Sequence, residues 1–147
     1  MPLLQPEPSD AEISIPVVIK VHAKPDAQQA RRIARDFLKS SRLRARAQDE
    51  LVLVVAELAM NLVRHTTDGG TITLQSVAIE EGLAVQIESH DAGPGIDNLE
   101  SSLRDGTSSI GGLGGGFATV RNLVDDFSIS STPGGTHISV RRWTDRS

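Results

Sequence analysis

The chain has 147 residues, 15 Lys and Arg against 19 Asp and Glu, and a formal net charge of −4. At 38% apolar and 23% charged it has the balance of one ordinary globular domain, and the absence of cysteine excludes disulfides, thiolate metal sites and a cysteine nucleophile. Its longest apolar run, Leu51 to Ala56, is far below the ~20 residues that span a bilayer, and no signal-peptide pattern opens it, so a cytoplasmic protein with no membrane partner is expected.

Residues 1–14 hold Pro2, Pro6 and Pro8, three acids and no basic residue, the composition of a flexible tail ahead of a domain at 15–143, with 144–147 as a second tail. Ile15 to His22 carries alternating β-branched residues and predicts a first strand. Pro25-Asp26 then opens a helix whose Ala27, Ala30, Ile33, Ala34, Phe37 and Leu38 recur at the 3.6-residue period. Eight of the 15 basic residues fall between Lys24 and Arg46. A solvated face or a dock for an acidic protein explains them better than a nucleic-acid patch, because the chain as a whole is acidic. Only four aromatic residues, Phe37, Phe117, Phe127 and Trp143, further weaken a nucleic-acid reading based on base stacking.

A second helix is predicted from about Arg46 to His65, with Leu51, Val54, Val55, Leu58 and Leu62 as its buried stripe. Asp68-Gly69-Gly70 stops it, and strands Thr71–Ile79 and Leu83–His90 follow, joined at Glu81-Gly82. From Asp91 to Gly116 the chain turns rich in Gly, Asp and Ser, with a short helix near Leu99–Arg104. A helical period restarts at Phe117, and Phe127–Ser131 and Thr136–Trp143 close the chain as a hairpin around Pro133-Gly134-Gly135. The order β-α-α-β-β-loop-α-β-β predicts a two-layer α+β sandwich, a mixed and mostly antiparallel sheet with helices on one face.

Three constellations carry chemistry. Glu57, Asn61 and His65 are spaced by four, so they share one stripe of the second helix beside its apolar one. Asn61 offers a neutral oxygen to a hard cation such as Mg²⁺, and Glu57 can orient or deprotonate a hydroxyl. Taken alone, an acid and an amide on a helix are usually its wet face, and His65 near the C-terminal end suits a structural role. Asp91-Ala92-Gly93-Pro94-Gly95 follows a strand directly: a strand-end acceptor beside two glycines that let backbone approach a ligand, or a tight surface turn. Gly111-Gly112-Leu113-Gly114-Gly115-Gly116 runs into a helix, where bared N–H groups and the helix dipole favour phosphate. A flexible linker is the alternative; no Walker motif is present.

In series, Glu57-x-x-x-Asn61 on a helix, Asp91-x-Gly93-x-Gly95 after a strand, a glycine-opened helix and Gly135-Thr136 entering the last strand resemble the GHKL ATPase family. Within it, ELAMNLVRH, DAGPGI and GGLGGGFATVRNLVDDFSI are similar to the bacterial anti-sigma-factor serine kinases of partner-switching systems, nearest the RsbT-type switch-kinase branch. The likeness runs from about Ile15 to Trp143. It implies the Bergerat fold, binding of ATP with Mg²⁺, and protein-serine/threonine kinase activity on a STAS-type antagonist. By position it implies that Asn61 chelates Mg²⁺ and that Glu57 is the general base. Asp91 would accept the adenine amino group between Gly93 and Gly95, and Thr136 would help hold adenine through water. Gly112, Gly114, Gly115 and Gly116 would border the phosphates under a lid spanning Asp97 to Gly115. That lid carries Arg104 but no Lys, which leaves the group compensating the γ-phosphate open, with Arg121, one turn into the next helix, as a candidate. The rival reading is a binding module that docks a sigma factor or activates a PP2C-type phosphatase while nucleotide tunes partner choice.

Overall fold

The computed structural model describes residues 14–80, 82–93 and 113–144. They form β1 (Val17–Val21), α1 (Lys24–Lys39), α2 (Ala45–His65), β2 (Gly70–Ile79), β3 (Gly82–Asp91), α3 (Leu113–Asn122), β4 (Asp126–Thr132) and β5 (Gly135–Trp143). The strands make one five-stranded sheet in the order β1-β2-β3-β5-β4, and every described pairing is antiparallel. This is the expected two-layer α+β sandwich, with a sheet that is antiparallel throughout the described residues. The predicted Leu99–Arg104 helix and the lid up to Gly112 lie outside those residues, as do the tails apart from Ser14 and Thr144. Both of these bond to the sheet, Ser14 N–H to the Ser76 carbonyl at 3.3 Å and Thr144 N–H to that of Leu83 at 2.9 Å.

Register explains why one face is apolar. Val17, Leu74, Ile87, Val140 and Phe127 stand in one cross-strand row, and Ile19, Ile72, Ser89, Ile138 and Ile129 in the next. Successive strand residues point to opposite faces, so the row between them, Thr73, Glu88, Ser139 and Ser128, faces away. The helices cover the apolar rows. Burying a side chain such as Ile72 or Leu58, both with no exposed surface, is worth about 1.5–3 kcal/mol.

Helix α1 starts where the sequence allows it. Pro25 occupies an early position at which its missing N–H costs nothing, and Asp26 Oδ2 accepts from the N–H groups of His22 (2.9 Å) and Ala23 (3.0 Å). Those two bonds, Ala23 first, hold the Asp26 carboxyl below its usual range. The buried stripe of α1 is Ala27, Ala30, Ala34 and Leu38, small residues that let it lie close against α2. Helix α2 buries Leu51, Val54, Val55, Leu58 and Leu62 as predicted, and also Val52 and Ala59, because it is packed by α1, α3 and the sheet together. It ends at a turn in which Gly69 has φ of 74° with the Val21 carbonyl where a Cβ would be. A side chain there would be strained and would collide. At the far end of the sheet, Arg142 Nη1 donates to Glu50 Oε1 (2.9 Å) and to the Leu123 carbonyl (2.7 Å), tying β5 to α2 and to the chain just beyond α3.

Candidate functional site

The first group of chemistry-bearing residues lies where α2 meets α3. Helix α3 begins at Leu113, four residues ahead of the predicted Phe117, so Gly114, Gly115 and Gly116 belong to its first turns and do not form a loop before it. Glycine costs about 1 kcal/mol per residue in a helix relative to alanine, which conceals such a start from a periodicity reading. The helix is held from its other side, where Phe117 and Val120 are fully buried against the core shared with α2. The outcome places Gly116 against Glu57: a Cβ built at 116 would lie 2.8 Å from Glu57 Oε1. An acid from one helix therefore stands beside the N-terminal turns of another, where peptide N–H groups leave a partial positive charge.

One turn further along α2, Asn61 is half-buried and its Nδ2 has no hydrogen-bond partner among the described residues; one turn beyond that, His65 Nε2 is also buried and unpartnered among them. Two orphaned polar atoms on one stripe are uncommon in a finished interior, where more than about nine in ten buried polar groups are bonded. Burial, with Arg64 alongside, pushes the His65 pKa below its ordinary 6.5. The stripe predicted from spacing is thus real, and its middle and last members are unsatisfied.

The second group closes the sheet end. Asp91 is the last residue of β3; Gly70 of β2 stands opposite it on one side and Thr136 of β5 on the other. Asp91 Oδ1 accepts from Gly93 N–H at 2.7 Å, folding the strand end into an Asx turn. Thr136 is buried, with its hydroxyl 3.1 Å from Ser131 Oγ. Gly135 has φ of 147° and packs against the Asp91 carbonyl, so the two strands approach more closely here than any side chain at 135 would permit. A Cβ at Gly70 would sit 2.8 Å from Leu62 Cδ2 and 3.1 Å from Asp91 Cβ, which sets the α2 turn after Asn61 next to the Asp91 end of the sheet. Glu57 with Gly116, and Asp91 with Gly93 and Thr136, are therefore two clusters joined by α2. Gly95 and Gly112 lie outside the described residues. Arg121 is exposed in the last turn of α3.

Sequence reasoning missed one element of this end of the molecule. A cavity of about 310 Å³ is lined by Thr66, Thr67, Asp68, Gly69, Ala92, Gly93 and Pro133. Thr66 Oγ1 donates to the Leu62 carbonyl at 2.6 Å, and Thr66 Cγ2 stands 3.4 Å from where a Cβ on Gly93 would be. The signal was the polar run Thr66-Thr67-Asp68 ahead of two glycines, which reads as a turn when nothing shows that β3 ends beside it.

Comparison with known proteins identifies the family. The family described as "Histidine kinase-like ATPase domain" matches residues 21–142. Serine/threonine-protein kinase RsbT of Bacillus subtilis (strain 168) is 31% identical over 126 residues, 85% of this chain and 94% of that protein. Among solved structures, the RsbU and RsbW domains of Rv1364c from Mycobacterium tuberculosis superpose with a TM-score of 0.61 at 19% identity, over 88% of this chain and 32% of that longer one. The histidine kinase domain of the blue-light activated histidine kinase from Erythrobacter litoralis EL346 superposes at 0.52 with 14% identity, over 80% and 63%. The two structures share the fold; the family match and the likeness to RsbT go further. This chain belongs to the histidine kinase-like ATPase (GHKL) family, as an ATP-binding enzyme of its serine/threonine-protein kinase branch.

Proposed function

We propose that the protein is the kinase of a partner-switching system, transferring the γ-phosphoryl group of ATP to a serine or threonine of a STAS-type antagonist domain and so controlling a sigma-factor or stress pathway. The observation that carries this reading is the seating of Glu57 against the first turns of α3, with Asn61 Nδ2, unpartnered among the described residues, one turn away. Family membership supplies the ATP; those residues supply a place for its reacting end.

Asn61 fits a hard cation: its amide oxygen is a neutral ligand of the kind Mg²⁺ accepts, and the orphaned Nδ2 is available to a phosphate oxygen. When bound, Mg²⁺ neutralises charge on the β- and γ-phosphates. Everything else falls to the chain. The α3 N–H groups at Gly114 to Gly116 receive phosphate oxygens, and glycine admits them without side-chain obstruction. Glu57 aligns the acceptor hydroxyl and takes its proton as the oxygen attacks phosphorus. Asp91, with one oxygen already held by Gly93, accepts the adenine amino group through the other, and Thr136 and Gly93 border the base. By the family resemblance we assign Gly95 to the adenine end with Gly93, and Gly112 to the phosphate end with Gly114 to Gly116.

The test is transfer of labelled phosphate from ATP to the STAS-domain proteins of the source cell. Glu57→Gln should lower the rate by about 10²- to 10⁴-fold while leaving nucleotide binding within a few-fold. Full activity in Glu57→Gln, or no transfer to any candidate acceptor, would sink the proposal. A second reading has its own observation. Helix α1 exposes Arg31, Arg32 and Arg35 around one shallow depression with Gln28 and Asp36. That basic face suits docking of an acidic partner, a sigma factor or a phosphatase, with catalysis secondary. Salt-sensitive capture of sigma factor by the Glu57→Gln protein would favour it.

A further inference from the structure

The face of the sheet turned away from the helices carries a group that the nucleotide reading does not use. His90 on β3 stands directly opposite His137 on β5, and Glu88, two residues before His90, points the same way. Glu88 Oε1 lies 3.2 Å from His90 Nε2 and 3.4 Å from His137 Nε2. One ligand atom from each of the three residues falls within 4.8 Å of the others. The imidazoles stack with centroids 4.0 Å apart and planes 14° from parallel.

The carboxylate is held in place from behind. Gln86 Nε2 donates to Glu88 Oε2 at 3.0 Å, and Arg141 Nε donates to Gln86 Oε1 at 2.8 Å. The chain Arg141–Gln86–Glu88 fixes one carboxylate oxygen and leaves Oε1 to the two rings. Among the described residues the buried His137 Nε2 makes no hydrogen bond, although its side chain is 44% exposed and the Glu88 oxygen is near.

We infer that Glu88, His90 and His137 form a binding site for a divalent transition-metal ion of the zinc class, on the side of the sheet opposite the nucleotide. Two imidazoles and one carboxylate are a recurrent zinc set that keeps a fourth position open. Bonds of about 2.0–2.2 Å in a tetrahedron put ligand atoms about 3.4 Å apart. The separations of 3.2 and 3.4 Å from Glu88 Oε1 already meet that requirement. Both rings are about half exposed, so χ rotation can turn their nitrogens toward a common point without disturbing the core. The Gln86–Arg141 support is the outer-shell arrangement that orients a ligating carboxylate. Magnesium does not suit the site, because it takes oxygen ligands in octahedral geometry. Metal held there would bridge β3 and β5 one residue from Asp91 and from Thr136.

The test is zinc titration of the full-length, nucleotide-free protein by calorimetry, together with Co²⁺ absorption as a report on ligand geometry. One zinc should bind per chain with proton release, and Co²⁺ should give visible bands that zinc abolishes. His137→Ala and His90→Gln should each remove the binding while keeping the metal-free unfolding midpoint. Gln86→Ala should weaken it by about 10-fold or more. Asn61→Ala should bind zinc as the parent protein does, which separates this site from the nucleotide one. Saturable zinc binding that persists in both histidine variants, or its absence in the parent protein, overturns the inference.

Discussion

Under the proposed function, Gly116→Ala should separate the effect on catalysis from the effect on folding. In Gly116→Ala the new Cβ would lie 2.8 Å from Glu57 Oε1, and ordinary contact begins at 3.4 Å, so the oxygen must retreat by about 0.6 Å (3.4 − 2.8). The obstructing atom is the end of a flexible side chain, and the move is small. Alanine also gains up to about 1 kcal/mol over glycine within a helix, so the unfolding midpoint should hold or rise. Catalysis should respond in the other direction. Misplacement of a reacting group by 1 Å costs about 10²-fold, so a shift of roughly 0.6 Å should lower phosphate transfer on the order of 10-fold. Initial rates with labelled ATP and thermal unfolding of the same preparations measure the two effects. The alanine should add little in a Glu57→Gln background, because both changes act through one carboxylate. A parent-like rate in Gly116→Ala, or an equal loss in both backgrounds, would refute the placement of Glu57 at the reacting centre.

Three further expectations follow from packing and charge. Phe117→Ala empties a fully buried site between α3 and α2 and should cost about 3–5 kcal/mol in urea unfolding. Arg142→Ala removes two charge-assisted bonds, to Glu50 and to the Leu123 carbonyl, and should cost about 1.5–3 kcal/mol, much of it recovered if Glu50 is also made alanine. For His65, burial keeps the folded-state pKa below 6.5, so as pH falls the unfolded chain binds the proton first. Its contribution to stability is complete above pH 6.5 and is lost below it; His65→Gln should flatten the fall of the unfolding midpoint on the acid side, measured without nucleotide.

Most of the architecture was legible because the two periodicities are clean. Leu51, Val54, Val55, Leu58 and Leu62 could only be one helix face, and the strand segments alternate as half-buried strands do. The spacing of Glu57, Asn61 and His65 likewise specified a shared stripe. The beginning of α3 was hidden, since Gly114 to Gly116 have neither propensity nor periodicity to announce a helix; Phe117 and Val120 impose it through tertiary burial. The meeting of His90 with His137 was hidden for a different reason. It depends on β3 and β5 being neighbours in register, and nothing local to either strand encodes that pairing. Within Ser89-His90-Asp91, alternation along β3 sends His90 to one face and its neighbours to the other, so these three adjacent residues make no triad.

The pairing of Asp91 with Thr136 bears on the order in which the sheet assembles. β2 with β3 and β4 with β5 are hairpins whose pairings are local in sequence, whereas β3 meets β5 only across the intervening α3 and β4. Local pairings close small loops and form early, while a long-range pairing must meet its loop-closure entropy before any contact offsets it. Asp91 and Thr136 should therefore meet only when the two hairpins dock, so this end of the candidate site is completed last.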